Sequence, residues 1–103
     1  MKMLVLAKEG DRVVDAAPVD IGAGAEQFAA HRAVDTYLGP FAWSVSHVAT
    51  GFRLASGETA KEAIEKAEAE WREKTPLQRD AALQIARATR SVRQRKALAE
   101  VLP

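Results

Sequence analysis

The stretch Trp43-Ser44-Val45-Ser46-His47-Val48-Ala49-Thr50-Gly51, then Phe52-Arg53-Leu54-Ala55-Ser56-Gly57, then Glu58-Thr59-Ala60-Lys61-Glu62-Ala63-Ile64, decides the fold. Apolar residues alternate with period two through the first two segments and recur every three to four positions from Thr59 onward. Side chains alternate across a strand and return to one helix face every 3.6 residues, so this switch predicts a ββα unit. Phe41, Trp43, Val45, His47 and Ala49 share one strand face, and Ala42, Ser44 and Ser46 the other. A two-residue loop at Thr50-Gly51 brings Phe52 and Leu54 onto the Trp43–Val45 face. A three-residue loop with Gly51 in a bulge pairs Phe52 with Val48 instead. The first register is preferred because it unites the aromatic residues, at the cost of a positive φ at Thr50.

C-terminal to this unit the signals are helical. Thr59-x-x-Glu62 is a capping box, with hydroxyl to the third backbone N–H and carboxylate back to the cap. Ala60, Ala63, Ile64, Ala67 and Trp71 form the stripe expected to be buried, and Glu62–Lys66, Glu68–Arg72 and Glu70–Lys74 stand at favourable i,i+4 spacing. Thr75-Pro76-Leu77-Gln78 starts again: Thr75 caps, Pro76 takes the first helical position and Gln78 closes a second box. The second helix is predicted from Pro76 to about Glu100. Ala81, Ile85, Ala88, Val92, Arg95, Ala99 and Leu102 follow its 4-3-4-3 spacing, the pattern of a helix seam. That seam suits close approach to another surface or to a second copy in a homodimer. Arg79, Arg87, Arg90 and Arg93 lie on the opposite side, as a solvated face or a track for phosphates.

Toward the N-terminus, Leu4–Ala7 and Arg12–Val14 around Lys8-Glu9-Gly10-Asp11 predict a hairpin, and Ala16–Gly24, with Pro18, Gly22 and Gly24, a connection. Ala25–Leu38 is ambiguous. Ala30, Ala33, Val34, Tyr37 and Leu38 fit a helix, whereas Phe28, Ala30 and Val34 fit a strand face interrupted by Arg32. Gly39-Pro40 ends whichever element is there. The expected architecture is α+β in one domain over residues 1–103: a small antiparallel sheet (within 1–57), a covering helix (58–74) and a long C-terminal helix (75–103).

With 103 residues, 48% of them hydrophobic and 28% charged, one modest core is attainable without staples. There is no cysteine, hence no disulfide, thiolate nucleophile or Cys-based zinc site. The net charge of +1 hides an asymmetry: residues 1–57 sum to −1, 58–74 to −2 and 75–103 to +4. Only the last segment has a preference for acidic partners. The apolar run at the start stops at Lys8-Glu9, too short for a secretory signal, and no segment is long enough to span a bilayer. A cytoplasmic protein is expected.

Chemistry is sparse. His31 and His47 are the two histidines, and no ligand set completes a metal site around His31 and Asp35 or around His47. Ser44 or Ser46 with His47 lacks a nucleophile elbow or an oxyanion-hole motif. Gly22-Ala23-Gly24 lacks the third glycine of a dinucleotide fingerprint and the Gly-Lys-Ser/Thr of a phosphate loop. Neither an enzyme nor a cofactor is expected.

The block Phe41–Gly51 followed by Ser56-Gly57-Glu58-Thr59-Ala60-Lys61-Glu62-Ala63-Ile64 resembles small uncharacterised phage and prophage proteins. Those carry a Trp-Ser/Thr-Val-Ser/Thr-His-Val-x-Thr-Gly hairpin before a Gly-x-Thr-x-x-Glu-Ala-Ile helix. The resemblance covers about a third of the chain. It implies a non-enzymatic accessory protein that binds and inhibits a host protein, with anti-CRISPR and other anti-defence inhibitors as the type. Gly57–Ala63 is also similar to the strand-to-helix step of HicB-type antitoxins, though the Asp-Leu-Pro-Gly segment is missing. The alternative it implies is a nucleic-acid-binding or antitoxin-like regulatory module using Arg79, Arg87, Arg90 and Arg93.

Overall fold

Strand gives way to helix at Thr59, as the change of period predicts. In the computed structural model, which describes residues 1–7, 10–34 and 42–101, the elements are β1 (Lys2–Val5), β2 (Arg12–Val19), β3 (Phe28–Arg32), β4 (Trp43–His47), β5 (Arg53–Gly57), α1 (Ala60–Glu73) and α2 (Pro76–Val101). The strands form one antiparallel sheet in the order β1-β2-β3-β4-β5, which makes the fold α+β. The turn residues Lys8 and Glu9, the possible helical partner Asp35, Tyr37 and Leu38, the Gly39-Pro40 stop, Phe41 and the seam's Leu102 lie outside the described residues.

Two expectations for the sheet are corrected and one ambiguity is resolved. The segment Ala16–Val19, expected as connection, is the second half of β2: residues 12–15 pair with β1 and residues 16–19 with β3. Pro18 fits because Ala16 N–H points at the carbonyl of Met1 (2.8 Å), and position 18, two residues on, has its nitrogen on that same side beyond the end of β1. A missing N–H is harmless at an uncovered edge. The ambiguous stretch is a strand over Phe28–Arg32, where Ala30 pairs with Val45 and His31 with Ser44.

The central hairpin has neither predicted loop. His47 N–H bonds the Phe52 carbonyl (2.8 Å) and Gly51 N–H the His47 carbonyl (2.7 Å), which closes a four-residue loop, Val48–Gly51. Its positive φ falls on Gly51 (73°) and not on Thr50, because glycine carries no Cβ penalty in that region. The register slips between Val45 and Ser46, Leu54 being the extra residue, and Phe52 is left 41% exposed instead of joining the apolar face.

Both faces of the sheet are buried at β3 and β4. Against one, α1 sets Ala63, Ala67 and Trp71 over Phe28, Ala30 and Val45, with Ile21 and Leu83 of α2 closing the cluster. Gly57 permits this approach, since a Cβ there would stand 2.6 Å from the Ala63 nitrogen. The other face is the inside of a roll. Met3, Val5, Ala16 and Ala29 pack together with Val14, Val34 and Val48, and Leu6 N–H reaches the Gly51 carbonyl (2.9 Å), tying the end of β1 to the β4–β5 turn.

The second helix start follows its sequence code in full, whereas the first forms only the hydroxyl half of its box. Thr59 Oγ1 accepts from Glu62 N–H (3.1 Å), while the Glu62 carboxylate pairs with Lys66 at 2.8 Å. At the second start the box is reciprocal: Gln78 N–H donates to Thr75 Oγ1 (3.2 Å) and Thr75 N–H to Gln78 Oε1 (2.9 Å). Thr75→Ala is expected to lose about 1 kcal/mol in chemical unfolding by stranding a first-turn N–H. An unchanged midpoint would mean that α2 starts without this cap.

Candidate functional site

Where β4 turns toward β5, four side chains from distant parts of the chain meet. His47 ends β4 opposite Phe28, their ring centroids 5.2 Å apart. Its Nε2–H donates to Glu26 Oε2 (2.6 Å), and its Nδ1 shares a hydrogen bond with Thr50 Oγ1 (2.9 Å). Arg87 Nη2 of α2 donates to Glu26 Oε1 at 2.9 Å. The hydrogen bond from His47 holds the Glu26 carboxyl below its ordinary range, and Arg87 adds to this. The contribution of Glu26 is therefore in place above the usual carboxylate range and is lost as pH falls through the lowered value.

Hydroxyl, imidazole and carboxylate in a row look like a catalytic relay, but Thr50 and His47 are each only 2% exposed. The hydroxyl also receives the Phe52 N–H (3.3 Å), inside its own turn. A nucleophile must meet its substrate. This group is instead a clasp that joins the β2–β3 connection, the β4–β5 turn and α2.

The second histidine forms a buried pair on the inner sheet face. His31 Nδ1–H donates to the Arg32 carbonyl (2.7 Å), so Nε2 accepts from the Ser46 hydroxyl (2.8 Å). Ser46 thus partners His31, not the His47 next to it. Neighbouring Ser44 pairs with Ser56 at 2.9 Å, which explains two serines in a buried strand. Burial lowers the His31 pKa from 6.5. The unfolded chain then protonates first, so the contribution of His31 is complete above about pH 6.5 and is lost as pH falls through the depressed folded value. The stability advantage of wild type over His31→Gln in urea unfolding is expected to shrink between pH 7.5 and 5. A constant advantage would show that His31 does not titrate differently on folding.

The predicted arginine side of α2 faces the body. Arg79 Nε donates to the Trp71 carbonyl (3.0 Å) with its guanidinium 5.4 Å from the Trp71 ring centroid. Arg90 Nη1 donates to the Thr50 carbonyl (3.2 Å), and Arg93 Nη1 to the Ala7 carbonyl (2.9 Å) and to Asp11 Oδ1 (2.7 Å). With Arg87 on Glu26, all four arginines are tied into the chain, and between them Leu83 and Ala86 are buried. The expected solvated basic face is therefore only partly so: each guanidinium has a partner in the chain, while the Arg87 side chain stays 55% exposed. Charge does here what an apolar stripe does in most helices: the guanidinium groups find carbonyls and carboxylates at the open ends of strands and turns.

The seam lies on the outside. Ala81, Ile85, Ala88, Val92, Arg95 and Ala99 are all exposed, Ile85 and Val92 each at 61%, and Leu77 (78%) precedes them on the same side. Sequence reading located both faces of α2 and missed Glu26, Thr50 and Asp11. Thr50, three residues after a strand-ending histidine, is a legible turn signal; Glu26, 21 residues from His47 and 61 from Arg87, has none.

Among the described residues no three His, Asp or Glu side chains come together as a metal site, and no helix is long and apolar enough to cross a membrane. Comparison with protein-family models, with curated proteins and with solved structures finds no match to this chain.

Proposed function

We propose that this chain is a non-enzymatic protein that works by associating with other protein, and that the surface it offers is the outer face of α2. One observation carries the reading: Leu77, Ile85 and Val92 stand exposed in line on a helix whose Arg79, Arg87, Arg90 and Arg93 are turned toward the body. A contiguous apolar stripe left in water is the mark of an association surface. The hairpin resemblance supplies the direction: a phage-type accessory protein in the cytoplasm that inhibits a host protein, a CRISPR or other defence effector being the type of target. Nucleic-acid binding through Arg79, Arg87, Arg90 and Arg93 is less favoured, because each would have to leave a partner within the chain.

The test is recovery of partners by the tagged chain from a nuclease-treated bacterial lysate, compared with its Ile85→Asp variant. A protein held by wild type and released by the variant supports the reading. Recovery that disappears with nuclease transfers the function to nucleic acid.

A further inference from the structure

The outer stripe also says what fits against it. Resting on the reading that this stripe is an association surface, we propose that its occupant is a second copy of the chain, packed antiparallel about a two-fold axis. Spacing is the first support. Ala81, Ile85, Ala88, Val92 and Arg95 follow each other by four, three, four and three, the 3.5-residue period that keeps a seam against a second helix.

Side-chain size is the second. The antiparallel register that sets Ile85 against Ala88 of the second copy also sets Val92 against its Ala81, and brings Leu77 beside its Leu98. Each branched residue then faces an alanine, so large fills small on both sides, and Leu77 and Leu98, 78% and 59% exposed in the single chain, cover one another. A parallel pairing places Ile85 on Ile85 and Ala88 on Ala88 and leaves gaps between bulky layers.

Charge is the third. Arg95 sits in the seam, where an arginine is costly unless a carboxylate meets it. Within one chain its guanidinium has the Ser91 hydroxyl at 3.5 Å, and among the described residues neither Arg95 nor Asp80 enters an ion pair. The same register brings Arg95 beside Asp80 of the second copy, and the two-fold repeats the pair. The body does not obstruct it, since Leu83, Ala86 and the inward arginines hold the opposite side of α2.

Sedimentation equilibrium of the full chain at high micromolar concentration is expected to give twice the 11.2 kDa chain mass. Ile85→Asp and Val92→Asp, both at exposed sites and both checked for an unchanged far-ultraviolet spectrum, are expected to return the single mass. Asp80→Arg is expected to weaken the pair at least tenfold, and Asp80→Arg with Arg95→Asp to restore it. Orientation is read by cross-linking, because the chain has no cysteine of its own. Mild oxidation of an Ala81→Cys and Val92→Cys mixture is expected to join unlike chains, whereas either variant alone stays uncrosslinked. A single-chain mass for wild type overturns the proposal, and so does efficient self-cross-linking of Ala81→Cys alone. A single-chain mass together with a lysate protein that Ile85→Asp releases sinks the pairing and leaves the association reading standing. A single-chain mass with nothing retained sinks both.

Discussion

Gly51→Ala is expected to destabilise the protein by about 3 kcal/mol, through two costs that fall on one atom. A φ of 73° sets an alanine in the left-handed region, which costs an L-residue roughly 1–2 kcal/mol. The added Cβ would also run into the Leu4 carbonyl oxygen and stand 3.0 Å from the Val5 Cα. Those are backbone atoms of a neighbouring strand and cannot turn aside as a side chain would, and forced overpacking costs roughly 1–3 kcal/mol more. Moving β1 away would stretch the Leu6 N–H bond to the Gly51 carbonyl and open the packing of Met3 and Val5 on Ala29. Since a small domain holds about 5–15 kcal/mol in total, the variant should unfold at a much lower urea concentration. Gly22→Ala is the control, because its φ is also positive (76°) but a Cβ there meets nothing within 4 Å. Equal losses in the two variants would show that the approach of β1 to the turn contributes nothing.

Trp71→Ala is expected to cost about 4 kcal/mol, the range for emptying a large aromatic from a core. Trp71 is 5% exposed near the end of α1, its ring edge-on to Phe28 at 5.2 Å and 62°, with Ala67 and Leu83 in the same cluster. It is where sheet, α1 and α2 meet, so its loss loosens the seat of the second helix as well as the first. The Arg79 bond goes to the Trp71 backbone carbonyl and survives the substitution, whereas the guanidinium's place over the ring does not. Urea unfolding followed by circular dichroism measures the loss, and Trp71→Phe should recover most of it. A cost below 1 kcal/mol would mean that Trp71 is not a centre of the core.

What was legible follows from the range over which each signal acts. The two helix starts are written within four residues each, and Thr59, Thr75, Pro76 and Gln78 were readable because a cap needs only its own turn. The second half of β2 was not readable. Pro18 and Gly22 speak for a turn locally, and only the place where β1 ends makes a proline acceptable there. The faces of α2 were both visible in the periodicity, but which one turns inward was not. Apolar period marks the inner side only when burial decides. Here Arg79, Arg87, Arg90 and Arg93 decide, through oxygens on Trp71, Glu26, Thr50 and Ala7 that lie up to 86 residues away.

The proline of β2 has a consequence beyond its own strand. Residues 16–19 run past the end of β1 and leave a short, open sheet margin of the kind on which a stray chain can template itself. On that margin the Ala16 N–H is already spent on the Met1 carbonyl, and Pro18 has none to give. An incoming strand would find the Ala16 carbonyl taken as well, by the Met1 ammonium (2.9 Å), and no donor at Pro18 with which to continue a ladder. The proline that marks a turn locally thus denies an added strand its donor at this margin.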